Sequence, residues 1–267
     1  VLTYDYKNQM ISGRTREDGT ECEFGGCRFS RPSDRSDTFR NFSPKLGLTH
    51  KLADTMQVYV QLAQGFRAPQ ATELYRLQAN QSVSAIDSED LASFEVGLRG
   101  GDELFAYDIS AFTMRKDNFI FRDTNRMNVD NGETDHTGVE ITLSKHLADN
   151  VSANLHLSYA RHQYANNPAL VSSPVKGNDI DTAPRRFGSF NIHWTPTTTL
   201  TLEAEWIHMD EYFTDPQNTA SYEGHDLVNL RAEYSPSTAW GIFMKIMNVS
   251  DTDYAERADF GFGNDRY

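Results

Sequence analysis

The sequence predicts an all-β chain, an antiparallel up-and-down transmembrane β-barrel wall. Three observations carry this. Apolar and polar residues alternate in one segment after another. The segments run ~10–12 residues, near the length a tilted strand needs to cross a bilayer and above the usual ~5–6 of soluble strands. Tight turns and long polar connections also alternate strictly. The tight turns are Leu52-Ala53-Asp54, Gly100-Gly101-Asp102, Ala148-Asp149-Asn150, Pro196-Thr197-Thr198 and Pro236-Ser237-Thr238. The long connections span roughly residues 12–42, 66–88, 116–134, 162–183 and 211–224, and a further one opens after Asn248. All tight turns fall on one edge of such a sheet and all long loops on the other, the asymmetry of outer-membrane barrels.

Taken in order, the chain opens inside a strand at Val1–Lys7, with Leu2, Tyr4 and Tyr6 expected to face lipid. Phe94, Val96 and Leu98 oppose Ser93, Glu95, Gly97 and Arg99. Val139, Ile141 and Leu143 oppose Glu140, Thr142 and Ser144. Val151, Ala153, Leu155, Leu157 and Tyr159 oppose Ser152, Asn154, His156 and Ser158. Leu200, Leu202, Ala204 and Trp206 oppose Thr201, Glu203 and Glu205, and Val228, Leu230, Ala232 and Tyr234 oppose Asn229, Arg231 and Glu233. A last strand covers 239–248, giving about eleven. Period two is the strand signature, because successive side chains point to opposite faces. Tyr6, Tyr159, Trp194, Trp206, Tyr234 and Trp240 sit near strand ends, where an interfacial girdle requires aromatics. A soluble two-sheet sandwich also has one apolar face, but it explains neither the strand length nor the one-sided loops.

Composition narrows the function classes. The 267 residues contain 25 Lys plus Arg and 38 Asp plus Glu, a net charge of −13. That disfavours nucleic acid, which rewards clustered cations. No stretch approaches the length of a transmembrane helix, and a negative mean hydropathy is compatible with a barrel, where only alternate strand residues meet lipid. The strand ladder runs throughout with no linker, so residues 1–267 read as one domain. The only cysteines, Cys22 and Cys27, lie in the first long connection. Two such ligands with no histidine nearby make a poor zinc site. A small-loop disulfide is the expectation, which implies an oxidising compartment.

Several stretches resemble TonB-dependent outer-membrane receptors. They are Tyr59-Val-Gln-Leu-Ala-Gln-Gly65-Phe66-Arg67-Ala68-Pro69 followed by Glu73-Leu74-Tyr75, then Glu95-Val-Gly97-Leu98-Arg99-Gly100, and Asn131-Gly132-Glu-Thr134-Asp-His136-Thr-Gly138-Val139-Glu140. Tyr222-Glu-Gly224-His-Asp-Leu227-Val-Asn229-Leu230-Arg231 and Asn248-Val249-Ser-Asp251-Thr-Asp-Tyr254 complete the series in the family's order. The resemblance implies the C-terminal half of a 22-stranded barrel, here about eleven strands, with plug, TonB motif and closing strand missing. It implies an outer-membrane receptor for an iron chelate, a ferric siderophore first. Implied partners are the TonB-ExbB-ExbD complex, reached through the missing N-terminal part, and outer-membrane lipid and lipopolysaccharide. No cofactor is implied. The rival readings are a passive porin-like channel and a barrel enzyme.

Gly65 is expected to supply conformational freedom, Pro69 to end the ladder and Arg67 to pair with a carboxylate. Residues 71–77 suit a helical turn. Arg67, Tyr75, Arg76, Arg122, Arg126, Tyr164 and Tyr212 are the candidate ligand contacts, because the planar guanidinium fork suits carboxylates and catecholates and aromatic rings supply stacking surface. Arg161, His162, Arg185 and Arg186 share this chemistry. Glu95, Arg99, Glu140, Glu203, Glu205, Arg231, Glu233 and Lys245 are expected on the inner face with alternating signs. The eight histidines look scattered, and neither catalytic residues nor metal ligands are assigned.

Overall fold

A computed structural model describes residues 1–7, 15–16, 29–31, 33–75, 77–78, 86–122, 128–168 and 173–258. The strands are β1 Leu2–Tyr6, β2 Arg35–Phe39, β3 Lys45–Ala53 and β4 Met56–Arg67, followed by helix α1 Ala71–Tyr75. Then come β5 Glu89–Gly101, β6 Phe105–Arg122, β7 Asn128–Ala148, β8 Val151–Tyr164, β9 Arg186–Thr197 and β10 Leu200–Met209. The short β11 Tyr212–Phe213 and β12 Ser221–Tyr222 precede β13 His225–Ser237 and β14 Trp240–Ile246.

Ten strands form one antiparallel meander in the order β3-β4-β5-β6-β7-β8-β9-β10-β13-β14. β1 pairs with β2, and β2 leads through residues 40–44 into β3, so the two act as one interrupted crossing. Every main strand therefore pairs with its sequence neighbour, as an up-and-down wall requires. β3 and β14 end the large sheet and are not paired to each other. Among the described residues no helix is long and apolar enough to cross a membrane.

The register sorts the two faces. Leu48, Val60, Val96, Ala111, Val139 and Tyr159 stand in one row across six strands. Below it run Leu98, Ile109, Ile141 and Leu157, then Leu143, Leu155, Phe190, Trp206 and Val228. Leu230 and Ile246 share a further row, as do Trp194, Leu202, Ala232 and Met244. This is a continuous apolar face, and many of its large side chains are exposed: Leu46, Leu48, Val96, Val139, Leu157, Leu230, Ile242 and Met244 among them. Tyr159 and Trp206 mark its upper border and Trp194, Tyr234 and Trp240 its lower one, as expected of a girdle. Glu95, Arg99, Glu203, Glu205 and Arg231 lie on the opposite face.

Four expectations change. Tyr4 and Tyr6 do not face lipid. They pack with Phe39 against Leu74, Tyr75, Ile86 and Ile120, because Tyr75 stacks on Tyr6 with ring centroids 4.4 Å apart and so offers the first strand an inner partner. The connection expected at 116–134 is mostly strand: β6 and β7 continue their hairpin to Arg122 and Asn128 across two register shifts. Gly65 sits in regular strand and is not among the residues with positive φ; what recommends glycine there is not conformational freedom. The connection at 211–224 contains its own hairpin, β11–β12. The expected turn after Pro69 is present as α1, and Pro69 itself is fully buried. Phe29–Arg31 pairs with Leu77–Gln78, so the first two long connections are joined by backbone.

Two small apolar clusters sit at the loop end. One holds α1 near β1 and β2; the other joins Tyr212, Tyr222, Ala255 and Ala258. Among the described residues the wall between carries no buried apolar cluster.

Candidate functional site

The loop edge carries the densest polar organisation. Arg67, at the top of β4, is directly opposite Glu89 at the start of β5. Its Nε donates to Glu89 Oε2 at 2.8 Å and its Nη2 to Oε1 at 2.6 Å. The same guanidinium donates to Glu73 of α1 at 3.0 and 3.2 Å. Glu89 also receives Lys116 Nζ at 2.8 Å and the Ile120 amide at 2.9 Å, and its side chain is only 3% exposed. Burial works against its charge, but Arg67, Lys116 and the Ile120 amide outweigh it and hold the carboxyl below the usual range. Such geometry, bidentate and fully satisfied, is what a buried carboxylate requires.

Arg67 thus ties α1 to the wall. Glu73 accepts the Gln70 amide at 2.6 Å, and Asn128 on β7 donates to the Glu73 carbonyl at 2.7 Å. Tyr75 is buried and donates its hydroxyl to Asp37 at 2.9 Å; burial, then that acceptor, push its phenol pKa up. Asp37 is gripped by Arg35, whose Nε lies 2.7 Å away.

A second group lies farther along the rim. Tyr164 ends β8, is 4% exposed and donates to Asp181 at 2.8 Å. Burial and the Asp181 charge raise its pKa. Arg185 closes on Asp179 at 2.6 Å, and Asn218 reaches the Asp179 carbonyl at 2.9 Å, so two connections are stitched together. Tyr212 and Tyr222 are buried; their hydroxyls accept the amides of Ala258 at 2.7 Å and Ala255 at 3.1 Å.

The sequence candidates therefore separate. Arg67 and Tyr75 come together around α1, whereas Tyr164 and Tyr212 each anchor a different connection. All four have their polar atoms engaged within the protein. Arg76, Arg126, Cys22, Cys27 and the side chain of Arg122 lie outside the described residues. Arg161 and Arg186 are exposed on the outward side of the rim; Arg161 stands two residues beyond Tyr159, whose cross-strand partner is Arg186.

One grouping escaped the sequence reading. His136 and His162 are cross-strand partners on β7 and β8, and their Nδ1 atoms are 2.7 Å apart. They lie three residues past the Tyr159 girdle, on the inner face. Burial first, then the neighbouring His162 and Lys116 charges, press His136 down to about 4; burial also lowers His162. The signal was available: a turn centred on Asp149 makes partner numbers on this hairpin sum to a constant, which pairs 136 with 162.

On the inner face of the wall, Glu203 faces Arg231, which faces Lys245, and His193 lies 3.6 Å from Glu203. Glu205 accepts from Asn229 at 2.8 Å and from Asn191 at 3.3 Å. The Tyr59 ring lies over Gly97, where an added Cβ would meet its ring carbon at 2.2 Å; Arg99 sits 5.2 Å from the ring centre.

Comparison with known proteins agrees with this architecture. The family described as TonB dependent receptor-like, beta-barrel, matches residues 4–249. Among solved structures, the ferric yersiniabactin uptake receptor FyuA from Yersinia pestis is 16% identical with a TM-score of 0.67, over 82% of this chain and 33% of its own. The siderophore receptor PiuA from Acinetobacter baumannii is 18% identical with a TM-score of 0.69, over 82% and 33%. The copper transporter OprC is 19% identical with a TM-score of 0.68, over 87% and 37%. This chain spans about a third of the length of these structures. They are receptors and transporters rather than enzymes.

Proposed function

Because the chain belongs to the TonB-dependent receptor β-barrel family, we propose that it is the wall and outer-loop part of a bacterial outer-membrane receptor importing an iron chelate, a ferric siderophore first. The observation that supports this best is the combination of a lipid-type outer face with tightly cross-linked described loop residues on one edge. A passive channel has little use for loops held by Arg67–Glu89–Glu73 and Tyr164–Asp181. Import would draw on the TonB-ExbB-ExbD complex acting through segments outside this chain, and the rim would rest in lipopolysaccharide. In this reading Arg76, Arg122 and Arg126 touch the anionic chelate, Arg67 and Tyr75 hold α1, which precedes Arg76, and Tyr164 and Tyr212 hold two other connections of the rim. The siderophore receptors among the structural relatives favour iron as cargo; the copper transporter among them keeps other metal chelates in the test panel.

Growth of a receptor-null strain carrying the full-length gene, with a panel of ferric chelates as sole iron source, tests the reading. Rescue by one chelate, abolished when TonB is inactivated, is the expected result. Rescue independent of TonB would replace it with passive diffusion.

A further inference from the structure

Met114, His136 and His162 form one row across three neighbouring strands. Met114 on β6 is the partner of His136 on β7, and His136 is the partner of His162 on β8. Their chain neighbours Thr113, Thr137 and Arg161 are exposed on the outward side, whereas the three themselves are half-buried on the inner side. In-register Cβ atoms of adjacent strands are roughly 4.5–5.5 Å apart, which places Met114 next to His136, and His136 next to His162, in one row at the mouth of the lumen.

The two histidines are already turned toward each other. Their Nδ1 atoms are 2.7 Å apart and their ring centres 4.9 Å apart at 58°. Thr134 Oγ1 lies 2.9 Å from the far nitrogen of His136, the kind of outer partner that fixes ring orientation in ligating histidines. Two imidazoles bound at about 2.0–2.1 Å to one tetrahedral ion would hold their nitrogens roughly 3.3 Å apart. A small opening of the pair admits the ion. Elsewhere on the inner face, cross-strand polar contacts use cheaper groups, such as Ser144 with Asn154 at 2.8 Å. Two half-buried imidazoles are more than wall pairing needs.

The ligand chemistry selects the metal. No group of three His, Cys, Asp or Glu side chains converges among the described residues, so hard cations that seek several carboxylate oxygens find no set here. Imidazole with thioether suits copper, and the thioether favours the monovalent ion. We propose that Met114, His136 and His162 bind a copper ion at the inner rim of the wall. This stands apart from the loop arginines assigned above to the iron chelate and does not depend on that assignment.

The test uses the full-length receptor, purified in detergent and titrated anaerobically with Cu(I) against the chromophoric chelator bicinchoninate. The wild type should withhold one equivalent. His162→Ala should surrender it, and Met114→Leu should weaken it by about tenfold, a change of about 1.4 kcal/mol. Heat-modifiable migration on gels reports that each variant is folded. On wild type alone, Cu(I) should shield His136 and His162 from diethylpyrocarbonate, read by peptide mass spectrometry. Complete surrender of copper by wild type, undiminished binding by His162→Ala, or unshielded histidines would each overturn the proposal. Binding of Zn(II) as tight as Cu(I), with Met114→Leu unchanged, would overturn the copper assignment.

Discussion

The outer and inner faces of the same strands are organised on different terms. On the outer face Leu157, Val96 and Leu230 have neighbours but no specific partners; any apolar residue of similar size satisfies lipid. On the inner face several groups answer to a named one across the strand: Glu205 to Asn229 and Asn191, His136 to His162, Tyr59 to the gap at Gly97. The outer face depends on composition and period, the inner face on register. A one-residue slip would exchange the two faces entirely, so the inner contacts also confirm the pairing on which the outer face rests.

The largest effect should come where the inner-face logic meets burial. Arg67→Ala leaves Glu89, with its side chain 3% exposed, with Lys116 as its remaining cation. Removing one partner of a fully buried pair costs roughly 3–5 kcal/mol; because the Arg67 side chain is 37% exposed and Lys116 and the Ile120 amide remain on Glu89, the loss should fall at the lower end of that range, and the local readout is faster proteolysis or hydrogen exchange across α1. The effect has a pH signature. Glu89 is held below the ordinary carboxylate range in the folded protein, so its contribution is complete above its unfolded-state value and fades as pH falls through the folded-state one. Wild type and Arg67→Ala should therefore converge in acid. Equal protection of α1 in both proteins at neutral pH would show that the network is ornamental.

Next comes the outer face. Ile141 lies in the middle of the apolar rows, and Thr142 points inward beside it. An arginine at mid-membrane on the lipid side costs about 2–4 kcal/mol. Ile141→Arg should assemble poorly in the full-length protein, and Thr142→Arg should assemble nearly as well as wild type. Equal yields of heat-modifiable barrel would break the assignment of faces.

A smaller effect tests shape. Gly97→Ala brings a methyl within 2.2–2.5 Å of three Tyr59 side-chain atoms. The ring must swing away, giving up its 3.3 Å bond to Asp108 and its place under Arg99. Overpacking of this kind costs roughly 1–3 kcal/mol, and Gly97→Ala with Tyr59→Ala should recover much of the loss, a non-additivity visible in a double-mutant cycle by urea unfolding. Strict additivity would mean the ring does not fill that gap.

These contrasts explain what was legible in the sequence. Period two displayed the wall, the turn positions and the lipid face, because lipid imposes its rule at every second residue. The fate of Tyr4 and Tyr6 was hidden, since alternation sorts residues into two faces but cannot say that Tyr75 waits on the inner one. The continuation of β6 and β7 was masked by two register shifts and by Asn118 with φ of 56°, which interrupt the alternation that would have announced strand. Tyr164 and Tyr212 carried a chemistry suited to ligands but are buried by Asp181 and by the segment at Ala255–Ala258, partners distant in sequence. Conversely His136 and His162, scattered to the eye, meet because hairpin arithmetic brings them together. Sites built from long-range contacts are legible only after register is known.

The smallest expected effect concerns the inner charges that look most deliberate. Glu203, Arg231 and Lys245 stand in register; the expected alternation of sign fails here, since Arg231 and Lys245 are like-charged neighbours, and the side chains of Arg231 and Glu233 are about half exposed and 3.8 Å apart. Ion pairs in that setting contribute roughly 0–1 kcal/mol, and surface-type substitutions mostly fall within about ±0.5 kcal/mol. Arg231→Ala should therefore leave barrel assembly and urea stability nearly unchanged. If these charges instead serve whatever occupies the lumen of the complete receptor, the same substitution should shift chelate uptake, and the shift should depend on ionic strength because such pairs are screened. Arg67→Ala and Arg231→Ala thus separate the two uses of charge on one face: the first should change stability at constant salt, the second should change transport at constant stability. A strongly destabilised Arg231→Ala would mean that the inner rows, like the Arg67 network, hold the wall together.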